Sequence, residues 1–136
     1  MGRKLDDGDY RKLLDLRTGL RRFLRWSEEQ AATVGLTPAQ HQLLLAVRGH
    51  GDSRGPTIGD VAGYLLLRHN SAVELVGRAE KAGFLERRPD ETDQRAVRLH
   101  LTARGEDLLG QLSSQHLEEL ERLAPRMRQL WQGLEG

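Results

Sequence analysis

Residues 83–105 read GFLERRPDETDQRAVRLHLTARG, and the alternation inside them decides the fold. Phe84 to Arg88 and Ala96 to Leu101 carry the two-residue period of strands. Val97, Leu99 and Leu101 share one face, and Ala96, Arg98 and His100 share the other. Between the strands, Pro89-Asp90-Glu91-Thr92-Asp93 supplies turn chemistry, so the pair closes as a hairpin with Arg95 near its tip. Gly83 stops whatever precedes the hairpin, and Thr102 caps a new helix directly after it.

Upstream, Thr57 caps a short helix with Val61, Ala62 and Leu65 facing inward. Leu66 to Arg68 form a turn, and a second helix runs from His69 to Ala82, burying Ala72, Leu75, Val76 and Ala79. A helix from Tyr10 to about Ala32 repeats Leu13, Leu16, Leu20, Phe23 and Ser27 every three or four positions and ends at Gly35. Thr37-Pro38-Ala39-Gln40 opens another, with a capping box and proline at the first helical position. The segment 49–56 is a loop; it is glycine-rich, but no Gly-Lys-Ser/Thr follows to make a phosphate cradle. The helix after Thr102 continues through Leu108, Leu109, Leu112, Leu117, Leu120, Leu123, Met127, Leu130, Trp131 and Leu134, with a break predicted at Pro125. The fold class is mainly α with a small β-hairpin.

Bulk composition narrows the function. At 136 residues the chain holds one domain with a real core. There is no apolar run of membrane-spanning length, and the opening MGRKLDDGDY lacks the apolar stretch of a signal peptide, so a cytoplasmic protein is expected. With no cysteine, disulfides, thiolate-ligated zinc and thiol redox chemistry are excluded. The net charge is only +1, yet residues 3–25 are rich in arginine and lysine while residues 105–136 are rich in acids. That asymmetry serves nucleic-acid binding or helix pairing equally. The histidines show no metal-ligand spacing, with His116 and Glu119 read as a solvated helix face. Serine elbows, phosphate loops and paired carboxylates are missing, so neither an enzyme nor a cofactor is expected.

In order, LTPAQHQLLLAV (36–47), DVAGYLLLRHNSAVELVGRAEKAGFLERR (60–88) and DQRAVRLHLTARG (93–105) resemble the MarR family of winged helix-turn-helix transcriptional regulators. The last block carries that family's wing signature of Asp, any residue, Arg, then Leu-Thr, two residues, Gly. The resemblance spans nearly the whole chain. It implies one MarR-like domain over 1–136, with a winged helix-turn-helix over 36–102 and dimerisation helices over 1–35 and 103–136. The implied partners are double-stranded DNA and a second copy of the chain, without a membrane.

The same resemblance implies site roles that the residue types support. The helix beginning at His69 enters the major groove, presenting His69, Asn70, Ser71, Val73 and Glu74 to base edges. Asn70 suits adenine, Glu74 a cytosine amine and Val73 a thymine methyl, while Arg68 and Arg78 suit phosphates. Arg95 reaches the adjacent minor groove. Asp93 fixes the wing by pairing with Arg95 or Arg87, and Arg87, Arg88 and Arg98 are backbone-contact candidates. Arg68 stands where a small capping residue is usual, Leu66 where glycine often completes the turn, and Gly77 where an acidic residue that braces the wing is expected.

The dimer candidates are Leu13, Leu16, Leu20, Leu117, Leu120, Leu123, Met127, Leu130 and Trp131; a coiled pair within one chain is the alternative. Trp26, His41 and Leu45 are candidates to line a cleft for a small aromatic or lipophilic effector, against ordinary packing. Function is thus expected to be that of a homodimeric repressor on a pseudo-palindromic operator. A winged-helix protein-interaction module and a constitutive DNA binder without effector stand as alternatives.

Overall fold

The computed structural model describes residues 2–135; Met1 and Gly136, the outer ends of the expected domain, lie outside the described residues. These residues form five helices and one antiparallel hairpin, in the order α1 (Asp7–Thr33), α2 (Pro38–Gly49), α3 (Ile58–Leu65), α4 (His69–Lys81), β1 (Leu85–Pro89), β2 (Val97–Leu101) and α5 (Ala103–Glu135). Mainly helical architecture with a two-stranded hairpin is what the alternation and the caps predicted.

Local chemistry sets the boundaries. Thr37 and Gln40 form a reciprocal capping box, and so do Thr57 and Asp60. The first helix begins three residues earlier than its apolar repeat suggested, because Asp6 and Asp9 form a third such box. Helices α1, α3 and α4 end alike. In each, the N–H of a left-handed residue and of its successor bond back to carbonyls of the last turn. Gly35 and Gly83 occupy that position in α1 and α4 at φ near +80°, whereas in α3 it falls to Leu66 at φ +55°.

The predicted break at Pro125 does not occur; α5 runs 33 residues straight through it. Pro125 is exposed, so the carbonyl of Glu121, deprived of its N–H partner, is free to turn to water. On the opposite side Leu123, Met127 and Leu130 face α1 across a shared groove and hold both halves in line. Helices α1 and α5 run antiparallel: Lys12 Nζ donates to the Gly133 carbonyl at 2.8 Å, and Ser27 meets His116 at 2.6 Å.

The core lies in the winged half. Leu43, Leu44, Val61, Val76, Leu85, Leu99 and Leu112 are almost wholly buried. Of α1, Ala31 alone is buried among the described residues. The hairpin pairs Leu85 with Leu101 and Pro89 with Val97, and the Leu99 N–H donates to the Pro56 carbonyl at 2.9 Å. The α2–α3 loop therefore lies along the free edge of β2. Arg98 and His100 are half-buried against it rather than solvated.

The Leu-Thr-x-x-Gly motif has a packing cause. Thr102 Oγ1 donates to the Gly83 carbonyl at 2.6 Å and accepts from the Gly105 N–H at 3.1 Å, capping α5 while tying it to the end of α4. At residue 105 any Cβ would collide with the Phe84 carbonyl, so only glycine lets the helix start this close to the hairpin.

Candidate nucleic-acid interface

Helix α4 is sharply two-sided. Ala72, Val76 and Ala79 are fully buried, while His69, Asn70, Ser71, Val73, Glu74 and Arg78 are all exposed. The face thus offers amide, hydroxyl, carboxylate, methyl and guanidinium chemistry within three turns, which is what base edges and phosphates require. Arg68 is the N-cap residue and makes no side-chain cap, so both its guanidinium and the first N–H groups of α4 are left free of one another.

At the far end of the hairpin the Arg95 side chain is 99 % exposed. Its backbone is pinned: Asp93 Oδ1 accepts the Arg95 N–H at 3.0 Å, and the guanidinium lies 3.9 Å from the same carboxylate. Of the two partners expected for Asp93, the structure selects Arg95. Arg87 turns instead to Glu80 of α4, at 3.2 Å. Arg88 bonds Glu86 on its own strand, Nε to Oε1 at 2.9 Å.

Arg98 departs from its expected place among the phosphate contacts. Its side chain is only 14 % exposed and faces Asp90, to which Nη2 donates at 3.1 Å. Asp90 itself is a buried carboxylate that reading of the turn missed. Hydrogen bonds from the Thr92 N–H and then from Arg98 hold its carboxyl below the ordinary carboxylate range. Arg54, 3.7 Å from the same oxygen, also bonds Asp52 at 2.7 Å, and that bond depresses the Asp52 carboxyl strongly.

A second feature lies away from this face. An apolar cavity of about 560 Å³ opens between α1, α2 and α5, lined by Phe23, Leu24, His41, Leu45, His116 and Leu117 among others. His41 and Leu45 were expected there. Trp26 does not line the cavity; it lines the separate α1–α5 groove, its ring 4.8 Å from that of His116. His116, read as part of a solvated face, is held on both nitrogens: Nδ1 lies 2.6 Å from the Leu112 carbonyl and Nε2 2.6 Å from Ser27 Oγ. A carbonyl only accepts, so Nδ1 is the donor on that side. His41 stacks edge-on at 4.9 Å, and burial, followed by the neighbouring His116, pulls its pKa below the ordinary imidazole value. Among the described residues there is no cluster of three or more His, Asp or Glu side chains fit to hold a metal.

The residues picked for dimerisation divide. Leu13, Leu20, Leu117, Leu120 and Trp131 are exposed apolar side chains, whereas Leu16, Leu123, Met127 and Leu130 are half-buried, the last three beside the α1–α5 groove. Leu14, Leu24 and Leu134 are exposed too. Leu14 and Leu24 escaped notice because a three-to-four-residue repeat picks out one stripe and α1 presents more than one, whereas Leu134 already belongs to the repeat read for α5.

Known proteins share this arrangement. Residues 34–96 match the family model described as MarR family. The chain is 32 % identical over 85 residues to YsmB of Bacillus subtilis, an uncharacterized HTH-type transcriptional regulator, covering 62 % of this chain and 56 % of that protein. It is 28 % identical over 91 residues to the HTH-type transcriptional regulator PecS of Dickeya dadantii, covering 66 % and 55 %. It spans about half the length of the curated relatives it matches. A MarR family protein from Bacillus stearothermophilus superposes with a TM-score of 0.74 at 21 % identity, over 98 % of this chain and 100 % of the other. A mutant of Staphylococcus aureus MepR bound to an oligodeoxyribonucleotide superposes at 0.66 and 20 % identity, over 88 % and 94 %.

Proposed function

We propose that the chain is a MarR-type winged-helix transcriptional regulator and that it grips a pseudo-palindromic DNA duplex as a homodimer. The observation that carries the reading is the pairing of two kinds of probe on one subunit. Helix α4 has a buried apolar face opposite an exposed face bearing Asn70, Ser71, Glu74 and Arg78. Arg95 projects into solvent from a hairpin tip whose backbone Asp93 holds still. A helix fits the major groove, and a lone guanidinium fits the electronegative minor groove beside it.

The second copy is supported by what α1 lacks. A 27-residue helix that buries one side chain gains little from its own subunit, and Leu13, Leu14, Leu20, Leu24, Leu117, Leu120 and Trp131 stand exposed on α1 and α5. Each such side chain is about half exposed, so covering it contributes about 0.8–1.5 kcal/mol, half the value for a fully exposed one. A two-fold pair also matches the symmetry of a palindromic site with half-sites about one helical turn apart.

The apolar cavity fits a small aromatic or lipophilic effector, and the protein acts as a cytoplasmic repressor that such a ligand releases. Ligand binding to a dimer whose α4 helices are wrongly spaced for adjacent grooves would weaken operator binding by linkage. No described helix is long and apolar enough to cross a membrane.

Footprinting on the DNA upstream of the protein's own coding sequence, with Arg95→Ala and Asn70→Ala, tests the reading. Arg95→Ala weakens binding across sequences, and Asn70→Ala relaxes preference at one base position, by roughly 1–3 kcal/mol of discrimination. A strictly monomeric protein in sedimentation, or an Arg95→Ala variant that binds like the parent, overturns it.

A further inference from the structure

We propose that Asp90 and Arg98 are positioning residues for DNA recognition: a buried ion pair that fixes the wing to the α2–α3 loop and so aims Arg95. The inference rests on the reading of Arg95 as a groove contact.

A two-stranded hairpin standing alone is marginally stable in water. The hairpin here has two strands, and the side chain it presents is 99 % exposed, so at the tip only the local contact with Asp93 steadies it. Its direction relative to the body of the domain is set where the tip loop leaves the strands. There, Arg98 reaches two elements with one planar group. Nε and Nη2 donate to Asp90 Oδ2 at 3.3 and 3.1 Å, and Nη1 donates to the Gly55 carbonyl at 3.3 Å.

Asp90 is the first residue beyond β1, and its other oxygen accepts from the Thr92 N–H at 3.2 Å. Its own N–H donates to the Ala96 carbonyl at 3.0 Å, closing the loop that carries Asp93 and Arg95. The carboxylate is 3 % exposed. Arg54 lies on its remaining side at 3.7 Å, tied to Asp52. Loop and wing are therefore clamped through one carboxylate. Gly55 lets them come this close, because a Cβ there would strike the Leu99 carbonyl.

The sign of a charge change separates this role from two simpler ones. If Asp90 were only a negative charge near DNA, removing it would tighten binding. If Arg98 were a phosphate contact, its loss would add to that of Arg95 and lower the salt slope by about 0.9 on its own account. A brace predicts the opposite in both cases. A lysine at 98 keeps the charge but lacks the fork needed to reach two acceptors.

The probe is a duplex selected by the wild-type chain from a random-sequence pool, with affinity read by fluorescence anisotropy over a salt series. Asp90→Asn, Arg98→Met and Arg98→Lys each weaken binding, the first two by about tenfold or more, on the scale of one lost contact of ~1–3 kcal/mol. In an Arg95→Ala background, Arg98→Met costs less than about twofold, because coupled positions do not add. Binding by Asp90→Asn equal to or tighter than the parent, or full additivity of Arg98 with Arg95, overturns the proposal.

If the wild-type chain selects no duplex, the functional reading falls and the brace is judged alone. Hydrogen exchange on the DNA-free protein then decides. About tenfold faster exchange of the Asp90 and Ala96 amides in Arg98→Lys, with α4 amides unchanged, retains the brace. Unchanged exchange at the tip removes it.

Discussion

Glu80 of α4 accepts a hydrogen bond from Arg87 of β1 at 3.2 Å, so a guanidinium facing outward from the hairpin is neutralised by the helix beside it. The pair is roughly one-third exposed, and such pairs contribute about 0.2–1 kcal/mol to stability. Its larger consequence is electrostatic. In Glu80→Gln, Arg87 is released toward phosphate, so DNA affinity rises about two- to fivefold and the salt dependence steepens by up to ~0.9 in slope. Anisotropy titrations at several salt concentrations measure both. A lower affinity with an unchanged slope would mean that the pair serves the geometry of the wing and not its charge.

Leu66 and Gly35 occupy the same left-handed position at the ends of α3 and α1, but only glycine does so without steric cost. The Leu66 side chain is 91 % exposed and buries almost nothing in return. Leu66→Gly relieves a left-handed penalty of about 1–2 kcal/mol, less the extra freedom that glycine gives the unfolded chain. The expected net gain is about 0.5–1 kcal/mol, seen in urea as a higher midpoint at constant m-value. A loss of stability would show that the exposed side chain makes a contact in solution.

These two sites also mark what local sequence discloses. The alternation within each strand, the turn residues between them, the Thr37 and Thr57 caps and the glycine stops were legible because each depends on residues close together in the chain. The buried Asp90–Arg98 pair was not, since its partners lie eight residues apart and meet only through the strand register and the turn. Ser27 and His116, 89 positions apart, are joined only by the antiparallel packing of α1 on α5. Pro125 misled for the converse reason. A local rule predicted a break, and long-range packing of Leu123, Met127 and Leu130 overrode it.

Arg68 joins stability and binding with opposite signs. As the N-cap of α4 it supplies no side-chain acceptor, and a serine or aspartate there would satisfy one of the free N–H groups. Arg68→Ser is expected to raise unfolding stability by about 1 kcal/mol. The same change removes a cation beside the base-reading face, lowering DNA affinity and reducing the salt slope by about 0.9. Thermal melts and anisotropy on one preparation give both signs. Tighter DNA binding in the capped variant would remove Arg68 from the interface.

His41 makes the fold sensitive to mild acid. The residue is only 7 % exposed. It faces His116 of α5, Ser27 and Glu28 of α1, and its neighbour Gln42 around the cavity. Burial, then His116, lowers its pKa from 6.5, so below that pH the unfolded chain takes up a proton that the folded chain resists. Stability from this group is fully present above pH ~6.5 and falls as pH drops toward the depressed value, by at most about 1.4 kcal/mol per pH unit. Urea unfolding between pH 7 and pH 5 should show this slope in the parent and a flatter one in His41→Gln, where no proton is exchanged at that position. An aromatic ligand that fills the cavity without carrying a negative charge should deepen the same dependence, since it buries the imidazole further. An anionic ligand should flatten it by favouring the imidazolium. An identical slope in the parent and in His41→Gln would assign the acid sensitivity elsewhere; the depressed carboxyls of Asp60 and Asp90 lose their contribution only below the unfolded value of 3.8, outside this window.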